Sequence, residues 1–136
     1  MVFAKAIGQV KDYEEAIRIS CHILEKNGII EKDYYEAILR NIKKYGGYFY
    51  LGKGICMPHA RVEEGAVKAG ICVLGLKSPV LFYGKEVYIF LTLSAGDEEE
   101  HIRNLQKIVQ ICGDDERVRG IKEAKNDEEL LALIGG

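Results

Sequence analysis

Read for its apolar and polar positions, the chain divides into two helical stretches, a block of strands and three further helices. Asp12 stands in cap position ahead of Tyr13, Ile17, Cys21 and Leu24. These four recur at the spacing of one helix face, and Glu15 completes a capping-box-like start. Asn27-Gly28 ends that helix. A second helix is predicted from Glu31 to Tyr45, with Tyr35, Ile38, Leu39 and Ile42 on its buried side and Gly46-Gly47 as its stop. Lys43 and Lys44 fall near its carboxyl end, where positive charge suits the helix dipole. Residues 1–11 carry too weak a pattern to assign, although a short extended segment could open the chain.

Tyr48 to Leu51 reads as a strand, Ile55 to Met57 as a shorter one, and Val67 to Leu76 as a third apolar run. Ser78-Pro79 is predicted to break that run, leaving Val80 to Phe82 as a short edge segment. Val87 to Leu93 is the strongest strand, continuous enough to be buried on both faces at the centre of a sheet. Asp97 then caps a helix whose core stripe is predicted to be Ile102, Leu105, Val109 and Cys112, ending at Gly113. Asp114 opens a short helix through Val118 and Ile121, and Asn126 with Glu129 marks a last one holding Leu130, Leu133 and Ile134. The order predicts an α/β fold, a mixed β-sheet flanked by α-helices.

Composition narrows the reading. With 136 residues and no internal repeat or linker, one domain over residues 1–136 is expected. Hydrophobic residues make up 48% and the formal net charge is −2, which gives no electrostatic case for nucleic acid. The opening apolar run is too short for a signal peptide and no stretch approaches membrane-spanning length, so a cytoplasmic protein is expected. Cys21, Cys56, Cys72 and Cys112 are scattered, as buried free thiols of a reducing compartment would be. Cys56-x-x-His59 and Cys21-His22 lack the second ligand pair of a zinc site, and in an extended chain Cys56 and His59 point to opposite faces. Neither a metal nor a cofactor is expected.

The candidate chemistry lies in Gly52-Lys53-Gly54-Ile55-Cys56-Met57-Pro58-His59-Ala60-Arg61. A short apolar strand ends against a proline, and a histidine follows at once. Pro58 restrains both its own φ and the preceding Met57, so His59 leaves the strand end in a held direction. A neutral imidazole so placed is a usable nucleophile or proton carrier. Arg61, two residues on, shares its face if the chain stays extended and could hold an anion. Taken alone, a Pro-His pair after a strand is more often a turn with a solvated histidine.

The run Gly54-Ile55-Cys56-Met57-Pro58-His59-Ala60-Arg61 resembles the phosphorylation-site motif of IIA components of the bacterial phosphoenolpyruvate-dependent sugar phosphotransferase system. The branch is the mannitol/fructose (type-2 EIIA) superfamily, closest to its ascorbate-type members. The resemblance continues in Tyr34-Tyr35-Glu36-Ala37-Ile38-Leu39, in Arg61 to Val67, in Ser78-Pro79-Val80-Leu81-Phe82 and in Ala95-Gly96-Asp97 ahead of His101. It implies the mannitol-type IIA fold. It also implies a phosphotransferase in which His59 accepts a phosphoryl group from the phosphocarrier protein HPr and passes it to a cysteine of a IIB component. Partners would be HPr and IIB, with the membrane IIC component met only indirectly. His101 would lie beside His59 and donate to the phosphoryl oxygens, whereas by sequence alone it is a solvated residue among glutamates. Arg61 would contact phosphate or partner. In the mannitol-type branch an arginine in the region of the second helix helps hold the phosphoryl group, and the resemblance leaves Arg40 and Lys43 both open as its counterpart here. Docking two proteins in turn implies an apolar, weakly charged rim around His59.

The match departs at Cys56, where the motif commonly has alanine, and at Val62, where the ascorbate pattern often has proline. Two other functions compete. One is a IIA-like regulatory module controlling transcription; an opening Met1 without a DNA-binding extension favours transport over it. The other is a thiol enzyme using Cys56 or Cys72 with His59, which no nucleophile motif supports. The sugar, ascorbate or a pentitol-like compound being compatible, is not written in a IIA chain.

Overall fold

The computed structural model describes residues 1–135. In chain order the strands are β1 (Val2–Ile7), β2 (Tyr50–Gly52), β3 (Ile55–Cys56), β4 (Gly70–Phe82) and β5 (Lys85–Ser94). The helices are α1 (Tyr13–Lys26), α2 (Tyr34–Tyr45), α3 (Glu98–Cys112), α4 (Asp115–Glu123) and α5 (Asp127–Ile134). One mixed sheet orders the strands β1-β4-β5-β3-β2. The apolar run of β5 is continuous because both its faces are covered. Phe90 packs with Ile17, Leu24 and Ile38 of α1 and α2, while Ile89, Leu91 and Leu93 join Ile108, Ile121 and Leu130 of α3, α4 and α5. Each such side chain taken fully out of water contributes about 1.5–3 kcal/mol, so the two apolar layers dominate stability. The expected α/β fold with helices on both faces of a mixed sheet is what the chain adopts.

The caps are local and fall where the sequence puts them. Asp12 accepts from Glu15 N–H, Asp97 from Glu100 N–H and Asn126 from Glu129 N–H, each at 2.8 Å, and Asp114 accepts from Glu116 N–H at 2.9 Å. Such a cap is worth about 1 kcal/mol.

Other expectations need correction. Residues 2–7, left unassigned, form an edge strand parallel to β4 in the register Val2↔Ile71 to Ile7↔Leu76. Helix α2 begins at Tyr34 and not at Glu31, because Ile30 bridges Ala66 and Glu31 N–H donates to the Gly65 carbonyl at 2.7 Å, which holds this stretch extended. Its buried face is Tyr34, Ala37, Ile38 and Ile42, with Tyr35 and Leu39 only partly covered, a small rotation from the expected stripe. Residues 46–49 form a turn of 3₁₀ helix, and the strand starts at Tyr50.

Ser78-Pro79 does not end β4. The β4–β5 register shifts between Gly75 and Val80 and resumes at Val80↔Val87, so the proline sits at a bulge where no ladder N–H is required. The predicted stripe of α3 is also rotated. Asn104, Ile108 and Ile111 are buried, whereas Ile102 is 50% and Val109 69% exposed. The Asp97 cap and a buried bond from Asn104 Nδ2 to the Ser94 carbonyl (2.8 Å) hold the helix in this orientation. Among the described residues, no helix is long and apolar enough to cross a membrane.

Candidate functional site

Leaving β3, the chain passes through Met57 and Pro58 to His59 at the end of the sheet. Met57 N–H donates to the Phe49 carbonyl (2.9 Å), and Leu93 N–H donates to the Pro58 carbonyl (3.1 Å). The chain before His59 is thus tied to the 3₁₀ turn on one side and to β5 on the other. The ring is packed against Phe49, centroid to centroid 4.9 Å. Its Nδ1 lies 3.0 Å from the Met57 carbonyl oxygen. A carbonyl can only accept, so Nδ1 carries the proton and the lone pair is left on Nε2. The ring is half-buried. Burial holds its pKa below the ordinary histidine value, a nearby His101 acts in the same direction, and the Met57 carbonyl opposes both. Near neutral pH the imidazole is therefore an uncharged base.

His101 belongs to the first turn of α3, which Asp97 caps where the chain leaves β5. Its N–H donates to the Asp97 carbonyl (3.1 Å). Its ring centroid lies 5.7 Å from that of His59, the planes inclined by 42°. Both rings open on one cleft of about 440 Å³, together with Asn41, Tyr48, Phe49 and Arg61. The cleft receives the amino-terminal end of α3, where the positive end of the helix dipole is met by the Asp97 cap and by Glu98.

Arg61 reaches the same cleft from an extended backbone (φ −80°, ψ 161°), and its guanidinium is an exposed partner of Glu63 at 3.8 Å. Arg40 and Lys43, the sequence candidates from the second helix, do not line it. Arg40 turns to Glu64 (4.0 Å), whose carboxylate also accepts from Arg61 N–H (2.9 Å) and Asn41 Nδ2 (3.4 Å). From α2 the cleft receives instead Tyr34, Asn41 and Tyr45. The rim departs from the expected weak charge. Tyr45, Tyr48 and Val62 expose apolar surface on it, but Glu63, Asp97 and Glu98 also line the cleft.

Sequence reasoning missed Tyr34. Its side chain is fully buried, and its hydroxyl donates to the Leu93 carbonyl (2.7 Å) and accepts from Ala60 N–H (3.0 Å). The Tyr34-Tyr35 pair is visible in the sequence, but which of the two turns inward depends on which face of α2 packs on the sheet. Cys56, by contrast, is fully buried, with its thiol pushed up to about 12 by burial, and Cys72 is in the same condition. A thiolate nucleophile at either position is disfavoured.

Comparison with known proteins decides the family. The family described as "Phosphoenolpyruvate-dependent sugar phosphotransferase system, EIIA 2" matches residues 2–135. This chain belongs to the EIIA 2 family. It is 32% identical to the ascorbate-specific PTS system EIIA component of Escherichia coli (strain K12) over 130 residues, covering 93% of this chain and 84% of that protein. Its fold is similar to the solution structure of the mannitol-specific cryptic phosphotransferase enzyme IIA CmtB from Escherichia coli. That likeness has a TM-score of 0.88 and 30% identity, over 97% of this chain and 90% of the other. A complex of enzyme IIAMTL with phosphorylated enzyme IIBMTL from Escherichia coli matches at TM-score 0.81 and 25% identity, over 99% and 94%. The type-2 EIIA fold expected from the motif is thereby established, and with it a role in phosphoryl transfer for sugar uptake.

Proposed function

We propose that this EIIA 2 chain is the phosphocarrier of its sugar phosphotransferase system and that His59 Nε2 is the atom phosphorylated. The supporting observation is the bond between Nδ1 and the Met57 carbonyl, which leaves Nε2 as the free base of a neutral ring in a cleft that His101 and Arg61 also line. In the reaction the Nε2 lone pair attacks phosphorus on the phosphohistidine of an HPr-like carrier protein. The donor N–P bond breaks, and its electron pair returns to the donor imidazole. Nδ1–H stays on the ring, where the Met57 carbonyl stabilises the positive charge that the new N–P bond induces. The transition state spreads charge over the equatorial oxygens, and His101, the amino terminus of α3 and Arg61 are the donors within the cleft. In the second transfer a cysteine thiolate of a IIB component attacks the same phosphorus, and His59 leaves as a neutral imidazole. All of this takes place in the cytoplasm, with the membrane IIC component served through IIB.

The test is His59→Ala incubated with phosphoenolpyruvate, enzyme I and HPr and read by intact mass. Wild-type protein is expected to gain one acid-labile phosphoryl group and the variant none. Phosphorylation of the variant at the wild-type rate would refute the assignment.

A further inference from the structure

We propose that the Tyr34 hydroxyl is a positioning group for His59, a side-chain rung that continues the β3–β5 ladder past Pro58 and sets the approach of His59 to His101. Strand β3 pairs with β5 in parallel, Ile55↔Ile89 and Cys56↔Phe90. Continuation of that ladder is interrupted at Pro58, which has no N–H to donate. Two contacts take over, and both end on Leu93. Leu93 N–H donates to the Pro58 carbonyl at 3.1 Å, which holds the peptide entering His59. The Leu93 carbonyl accepts the Tyr34 hydroxyl proton at 2.7 Å, while the hydroxyl oxygen accepts Ala60 N–H at 3.0 Å, which holds the peptide leaving His59. The Ala60 carbonyl also lies within reach at 3.2 Å, but a hydroxyl has one proton, and the shorter contact is to Leu93.

The backbone on both sides of His59 is therefore referred to one residue of β5, and four residues beyond that residue the chain reaches Asp97, the α3 cap. Ring placement at His59 and the position of His101 share this anchor. The tyrosine itself is closely packed. It is fully buried, and at Gly65, across from it, a Cβ would lie 3.4 Å from the Tyr34 backbone and Cβ. Removing the hydroxyl leaves the Ala60 N–H and the Leu93 carbonyl without this partner inside the protein, so relaxation of the Pro58–Ala60 segment is the response that restores their bonding. Such a shift degrades in-line geometry more than it degrades donor docking, because the docking surface lies on the rim.

This inference rests on the phosphocarrier reading for its rate measurements and is tested by Tyr34→Phe. Thermal unfolding first establishes a temperature at which the variant is folded. Single-turnover loading from phosphorylated HPr is then expected to slow about ten- to a hundredfold at saturating donor, with KM for the donor unchanged. Ile42→Val, a packing change in the same helix, is expected to load at the wild-type rate and so separates lowered stability from lost positioning. In the unphosphorylated proteins, imidazole ¹⁵N shifts of His59 are expected to report a smaller Nδ1–H population in Tyr34→Phe than in wild type. Wild-type loading together with unchanged His59 shifts in Tyr34→Phe would overturn the proposal. If wild type forms no phosphohistidine, the functional reading fails, and the ¹⁵N shifts still decide the role of Tyr34. Should the variant not fold, the wild-type hydroxyl proton decides. It is expected to exchange slowly and to show a nuclear Overhauser contact to the Ala60 amide, and a freely exchanging hydroxyl without that contact would refute the rung.

Discussion

The rings of His59 and His101 stand 5.7 Å apart, one delivered by the end of β3 and the other by the first turn of α3. Neither histidine lies near the other in the chain, so the pair exists only because β5 lies beside β3 and leads directly into α3. His101→Ala is expected to leave His59 able to accept a phosphoryl group but to slow transfer by about a hundredfold, the usual cost of one transition-state donor. Loading from HPr and unloading to IIB should be timed separately. Equal rates in both steps would make His101 a surface residue only.

The environment of His59 fixes a pH dependence. Its folded pKa is lowered from 6.5, chiefly by burial, so the native ring stays neutral to a lower pH than the unfolded one. Between those two values the unfolded chain binds more protons. The stability contribution of this group is therefore intact above about pH 6.5, declines as pH falls towards the folded pKa, and levels off below it. An NMR titration of His59 is expected to give a midpoint under 6.5, and loading should lose rate along the same curve. A midpoint at or above 6.5 would contradict the half-buried ring.

The Arg61 guanidinium is exposed and pairs with an equally exposed carboxylate, so its ion pair with Glu63 adds little stability. Its substitution should alter transfer and leave unfolding nearly unchanged. Arg61→Glu is expected to slow both transfers. Arg61→Lys, which keeps charge but loses the planar fork, separates bidentate contact from field: equal damage in both variants indicates bidentate recognition, and damage confined to the glutamate indicates field. Rates should be compared at low and moderate salt. Wild-type transfer in both variants would remove Arg61 from the site.

Cys21, Cys56 and Cys72 are buried, with thiols pushed up to about 12 by burial, and Cys112 is only partly covered. A thiol reagent at pH 8 is expected to modify Cys112 first and the other three only on unfolding. Thiol counting in native buffer and in denaturant checks this. Rapid native reaction at Cys56 would mean that β3 is less firmly packed than described. Phosphoryl loading should persist after Cys112 is modified.

Much of the architecture was legible because it is local. Asp12, Asp97, Asp114 and Asn126 cap helices through bonds to N–H groups two or three residues ahead, so a few adjacent letters suffice to place them. The apolar run of 87–93 announces a central strand because burial on both faces leaves no polar alternation. His59 was legible for a similar reason, since Pro58 restrains the backbone that presents it, and the motif carrying it is contiguous.

What the tertiary structure alone decided involves contacts between distant segments. Tyr34 shares one helical face with Ala37, Ile38 and Ile42, and Tyr35 a neighbouring one with Leu39; both spacings are helical, and packing against the rest of the fold selected the first. The α3 stripe was rotated because Asn104 bonds to Ser94, which let a polar residue take an inward position that spacing assigns to an apolar one. Strand β1 has a weak pattern of its own and becomes a strand by pairing with β4. Asn41, not Arg40 or Lys43, reaches the cleft, because the face that α2 turns to the sheet end carries Asn41 and leaves Arg40 exposed beside Glu64. In each case sequence spacing specifies what a residue could do along its own element, and packing against a partner far away in the chain selects which residue does it.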